Sequence, residues 1–214
     1  MLFELITWFP RHQFARATAF KIKTIETTLN TIRTEKERAK KYGATTLLTL
    51  HEASLYLLTF SLDHSVFLYD LAVERNTLRK TVYSKHLILL FAEFFDDFPS
   101  VFGQKIKQAV ETLPNATTHL TLLTEINRDL RHYRKTHEKD FYRIRNLVAA
   151  HRDLDGELQL ETLESIDHAL IQKLAADLDT WCNKIWAFIA AATIDYKHSR
   201  QMISEVCKKI EQDA

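Results

Sequence analysis

A chain of 214 residues, 46% apolar and 27% charged, has the composition of an ordinary globular domain and is long enough to bury a core without staples. Its formal net charge of +1 makes no whole-chain case for or against a nucleic-acid partner. It holds only three Gly and three Pro, and because sheets need turns that draw on both, a strand-rich fold is excluded in favour of a few long helices.

The first stretch, MLFELITWFPRHQF, places Glu4 early and has no basic leading region, so a secretory leader is not expected. Residues 12–41 are charged and helix-forming, with Phe14, Ala17, Ile22, Ile25, Leu29 and Ile32 at spacings of three to five, and Gly43 reads as the stop just beyond the helix. Residues 46–75 carry the longest apolar pattern, through Leu47, Leu55, Leu58, Leu62 and Val66, and predict a central helix. Asn76-Thr77 supplies cap chemistry for a helix running to about Asp97. Pro99-Ser100 then opens a short helix, which Pro114-Asn115 closes while starting the next.

From Ala116 to Arg152 the helical pattern meets no Gly or Pro, and a break near Thr136 is expected from the length alone. Asp153 to Gly156 reads as a turn. The last long helix covers 160–195, with Leu170, Leu174, Leu178, Trp181, Ile185 and Ile189 on one side, and a charged tail follows. Trp181 and Trp186 read as core or dimer-interface residues. No repeat or linker interrupts the chain, which predicts one all-α bundle of five or six helices over 1–214, a single domain.

No run reaches about 18 uninterrupted apolar residues, so no membrane span is expected. Cys182 and Cys207 make no metal-ligand spacing and no disulfide framework, which fits a reduced, cytoplasmic setting. No His has Glu three positions before it and no two His are four apart, so a bundle metal site is not expected, nor any cofactor. P-loop, dinucleotide and nucleophile-elbow motifs are absent.

Charge is concentrated in one place. Residues 128–152 hold eight Lys or Arg against three acids, a local +5, so the rest of the chain nets −4. Tyr133, Phe141 and Tyr142 are interleaved with these cations. Cations with aromatics suit a single-stranded nucleic acid, and Arg131, Tyr133, Arg134, Tyr142 and Arg143 are the candidate RNA-binding residues. The same composition also describes a solvated helix face.

Within that segment lies RNLVAAHRD, residues 145–153. Arg131 to His137 and Arg79 to His86 have comparable spacing. Only at Arg145 does Asn follow directly, with small residues before the His and a turn soon after. The string R-N-x-x-x-A-H-R-D resembles the signature of the HEPN superfamily (higher eukaryotes and prokaryotes nucleotide-binding), and its ending is similar to the AbiU-like abortive-infection branch. KHLILLFAEFFDDF, residues 85–98, is similar to the acidic helix that precedes the motif helix in that branch.

The resemblance implies a HEPN-like bundle and a metal-independent endoribonuclease of toxin or phage-defence type, a homodimer whose site forms where two motif helices meet. It implies Arg145 and His151 as catalytic, with Asn146 in support of them; Glu93, Arg152 and Asp153 are further candidates for supporting roles. RNA is then the substrate, and an antitoxin protein a partner. The family often has Tyr two residues after the His; Asp153 stands there in this chain, so regulation by Tyr modification is not expected.

The residue types suit that chemistry. His moves protons near neutral pH. Arg grips phosphate oxygens in a fork and stays charged. Six residues along a helix leave Arg145 and His151 about 120° and about 9 Å apart, so one phosphate is reached by a bent Arg, an early helix end or a composite site across a dimer. His151 also shares a face with Ile144, Leu147 and Val148, where a His is commonly a core residue. Glu93 sits among Leu90, Phe91, Phe94 and Phe95 and is expected to be part-buried, in need of a cation such as Arg145. A second reading is of another class: a non-catalytic HEPN-like module that dimerises and binds a partner protein or RNA.

Overall fold

The computed structural model describes residues 2–149 and 164–213. Among these the chain is all-helical, with no strand. Seven helices lie within the described residues, in order: α1 (Leu2–Lys41), α2 (Thr45–Val73), α3 (Thr77–Val101), α4 (Gln104–Glu111), α5 (Ala116–Ala149), α6 (His168–Lys197) and α7 (Arg200–Asp213). No described helix is long and apolar enough to cross a membrane.

Local chemistry accounts for most boundaries. Gly43 adopts φ +65° after α1, a conformation that costs any residue with a Cβ. Asn76 Oδ1 accepts from the Arg79 N–H at 3.1 Å and caps α3. Asp167 Oδ1 accepts from Ala169 and Leu170 N–H at 2.9 and 3.1 Å and starts α6. Ser199 Oγ accepts from the Met202 N–H at 3.3 Å, which makes the charged tail a helix of its own and brings the number above five or six.

Two boundaries depart from expectation. No break occurs at Thr136: α5 runs unbroken through 34 residues, about 51 Å. Thr136 itself is exposed, while Leu130 before it and Phe141 after it are buried, so packed positions hold the helix on either side. Pro99 does not open a short helix but lies inside α3, which continues to Val101. A proline lacks the N–H that would serve the carbonyl four residues back, here that of Phe95. Arg134 Nη1 donates to that carbonyl at 2.9 Å in its place. The ladder extends past Pro99 to the Phe102 N–H, which donates to the Phe98 carbonyl at 2.8 Å. The short helix starts only after Gly103, where a Cβ would lie 2.1 Å from the Pro99 carbonyl oxygen.

The contacts of the chain form two compact units, each drawn from three stretches. The first takes 1–26, 60–95 and 134–179. Its core is aromatic: Phe60 and Phe94 have centroids 4.4 Å apart, and Phe141 meets Phe91 and Phe95 at 5.9 and 5.4 Å. All five rings are buried, each contributing roughly 1.5–3 kcal/mol by leaving water. The second unit takes 27–59, 96–133 and 180–214. Leu50, Leu57, Phe102, Ile106, Val110 and Ile185 fill it. Tyr196, fully buried there, donates to Glu205 Oε2 at 2.7 Å, and Thr46 Oγ1 donates to Glu205 Oε1 at 3.1 Å. This network binds α7 to α2 and α6.

Candidate functional site

The described part of the motif lies in the first unit, on the C-terminal stretch of α5. Arg134 and Arg145 are eleven positions apart, or about 20° around the helix, so they share a face with Tyr142 close to it. Both guanidinium carbons lie 5.8 Å from the Tyr142 ring centroid. Arg134 also donates through Nη2 to the Tyr142 hydroxyl. The three side chains are half-buried, and Phe141 beside them is buried. His137 packs on Phe141 with centroids 6.1 Å apart. Two cations on one aromatic ring make a positive, partly dehydrated patch.

The other expected residues are placed as follows. Arg131 is exposed and Tyr133 half-buried, both in the second unit, whereas Arg134, Tyr142 and Arg145 lie in the first. Arg134, expected as an RNA contact, has Nη1 on the Phe95 carbonyl and Nη2 on Tyr142, so much of its fork is used within the fold. Glu93 is exposed rather than part-buried, because the buried positions around it on α3 are Phe91, Ala92, Phe94 and Phe95. It therefore has no desolvation cost for Arg145 to offset. Arg143 and Asn146 lie in α5, with side chains outside the described ones. His151, Arg152, Asp153 and the expected turn to Gly156 lie outside the described residues.

Several buried polar clusters escaped the sequence reading, since each joins residues far apart in the chain. In the first unit Lys21 pairs with Asp179, and His64, 1% exposed, has Nδ1 4.0 Å from Asp179 Oδ1. Burial, with the Lys21 charge adding and Asp179 opposing, holds His64 down to about 4. Ser84 Oγ lies 2.9 Å from His168 Nδ1, and burial lowers the pKa of His168. Ser84 is fully buried and His168 half-buried, and the pair anchors α3 to the first residue of α6.

In the second unit His119 Nε2 and Asn115 Nδ2 each lie 2.8 Å from Asp195 Oδ2, and those hydrogen bonds, Asn115 first, hold the carboxyl below its usual range. The Asn115–His119 spacing of four was visible in the sequence, but Asp195 was not. His51, 1% exposed, has no hydrogen-bond partner at either ring nitrogen among the described residues; burial and then the Lys197 charge hold it down to about 4. Trp181 is half-buried, with Lys184 Nζ 4.3 Å from its ring centroid.

Among the described residues no three His, Cys, Asp or Glu side chains gather as metal ligands would. No family model matches the chain, and no curated protein or solved structure is significantly similar to it.

Proposed function

We propose that the protein is a metal-independent endoribonuclease, HEPN-like in fold, of toxin or phage-defence type, and that Arg145 and His151 act at a site formed across a homodimer. The observation that supports this reading is the setting of Arg145, half-buried on a helix face with its guanidinium 5.8 Å from the Tyr142 centroid. A guanidinium stiffened by an aromatic ring is a pre-positioned cation for the charge that develops on phosphorus oxygens.

In the proposed reaction the ribose 2′-oxygen attacks the adjacent phosphorus and loses its proton to a base. The bond from phosphorus to the 5′-oxygen breaks, and an acid protonates that oxygen. The products are a 2′,3′-cyclic phosphate and a 5′-hydroxyl, with no metal or water consumed. A homodimer supplies two copies of His151, one to take the proton and one to give it. Asn146 supports the pair, Arg152 and Asp153 flank it, and an antitoxin protein in the cytoplasm would restrain it.

A second reading, the non-catalytic HEPN-like module that dimerises and binds a partner protein or RNA, draws on Leu78 and Val82. These lie one turn apart on α3 and are 66% and 49% exposed.

The test is cleavage of an end-labelled RNA in EDTA by the purified protein, with Arg145→Ala and His151→Ala beside it. Loss of cleavage in both variants is expected. Equal cleavage by all three would place the activity elsewhere, and no cleavage across several RNAs would leave the binding module.

A further inference from the structure

We propose that the second unit carries a separate phosphate-binding cleft, lined by Lys107, Arg128 and Arg131, that holds the backbone of a single-stranded RNA. The identity of the ligand rests on the ribonuclease reading; the site itself does not.

The cleft has a volume of about 590 Å³, within the range of ligand sites, and no acidic residue among the described ones lines it. Arg128 and Arg131 are three positions apart on α5 and share one face. Lys107 reaches the same cleft from α4. Of the neutral polar side chains on its wall, Gln104 can donate to phosphate or sugar oxygens, while the Thr124 hydroxyl donates to the Leu120 carbonyl at 2.7 Å and Asn127 Nδ2 to the Leu123 carbonyl at 2.8 Å. Leu120 and Leu123 supply an apolar wall for the sugar or base.

A further feature points the same way. The first turn of α4 opens on the cleft through Gly103 and Gln104. Its N-cap is Gly103, with no side-chain cap, and the first helical bond runs from the Lys107 N–H to the Gly103 carbonyl at 3.1 Å. The N–H groups ahead of it carry the positive end of the helix dipole. Gly103 is fixed by the close approach of the Pro99 carbonyl, so the backbone at the cleft stays bare.

Two acids stand nearby without lining the cleft. Asp129 accepts from Arg128 Nε at 2.9 Å, and Glu111 lies 3.9 Å from Lys107 Nζ. Both contacts are exposed and short-range in sequence, so they are weak, and the first leaves the Arg128 Nη groups for a ligand.

The experiment is fluorescence anisotropy of a labelled twelve-residue oligouridylate with the full chain carrying His151→Ala, so that cleavage does not consume the probe. Tripolyphosphate and ATP serve as competitors. Lys107→Glu with Arg131→Glu should weaken oligouridylate at least tenfold, with an unchanged helical circular dichroism spectrum. The slope of log affinity against log salt should fall in magnitude by about 1.4, at roughly 0.7 per backbone phosphate neutralised by each of the two reversed cations.

Calorimetric titration that shows tripolyphosphate or ATP binding to the parent but not to the charge-reversed protein, with no oligouridylate binding, would keep the phosphate site but assign it to free polyphosphates and nucleotides, overturning the RNA assignment. No binding of any of these probes, or binding that the charge reversal leaves unchanged, would overturn the site. The two proposals fail separately. RNA bound at the cleft but never cut by the His151 protein would sink the ribonuclease alone. RNA cut equally well with and without the charge reversal, and bound equally well, would sink the cleft alone.

Discussion

Arg134 donates from Nη1 to the main-chain carbonyl of Phe95 at 2.9 Å, thirty-nine positions away in the chain. Pro99 is the reason the carbonyl is available, since it removes the N–H that α3 would have used. Arg134→Ala should destabilise the protein by about 1.5–3 kcal/mol, the range for a hydrogen bond from a charged group. In a Pro99→Ala background the carbonyl regains a helical donor, so the same substitution should cost clearly less. Urea unfolding of the four proteins measures the coupling; a coupling within about 0.5 kcal/mol of zero would mean that the bond carries no such duty.

Gly103→Ala should be poorly tolerated. The added carbon would lie 2.1 Å from the Pro99 oxygen, a backbone atom that cannot swing aside. A loss near the top of the roughly 1–3 kcal/mol range for overpacking is expected. A melting temperature equal to that of the parent would show that α4 starts differently.

Gly43→Ala meets a different obstacle. Its φ of +65° lies in the left-handed region, and the new Cβ would stand 3.1 Å from Lys209 Cβ. A loss of about 1–2 kcal/mol is expected from the backbone alone. Gly43→Asn should lose less, because Asn visits this region more readily. If thermal unfolding ranks Ala above Asn, backbone conformation is not the controlling factor.

Acid should unfold the protein through two buried imidazoles. His51 and His64 ordinarily titrate near 6.5 and are held down to about 4 in the fold. Between those values the unfolded chain takes up protons that the native state refuses, so stability is full above about pH 6.5 and falls as the pH drops toward 4. Around His64 stand Asp179 and Lys21; around His51 stand Glu35 and Lys197. His51→Leu and His64→Leu should each flatten the fall in urea midpoint between pH 7 and pH 5. Parallel curves for variant and parent would assign the acid sensitivity to other groups.

Much of the architecture follows from short-range chemistry and was legible for that reason. The three-to-four spacing of leucines marks α2, Asn76 caps α3, and Gly43 ends the first connection. The failures lie where a distant partner overrules a local rule. Pro99 reads as a helix start until Arg134 supplies its missing hydrogen bond. Thr136 reads as a break only because long helices are uncommon, and nothing in its own chemistry demands one. Glu93 looked part-buried because its neighbours are phenylalanines, yet on α3 those neighbours turn inward and Glu93 turns out. At the candidate site, the motif singled out Arg145 by its order of residues, but the ring that steadies it and the second arginine on that ring became evident only with α5 continuous.

The pairing of Pro99 with Arg134 also constrains the order in which such a chain can evolve. A proline that arrives at position 99 before the arginine leaves the Phe95 carbonyl without its helical donor. An arginine that arrives first finds a helix with an intact ladder and does no harm. Arginine then proline is the passable route, and once both are present the arginine is trapped. Relatives of this protein should accordingly show arginine without proline at these two positions far more often than proline without arginine.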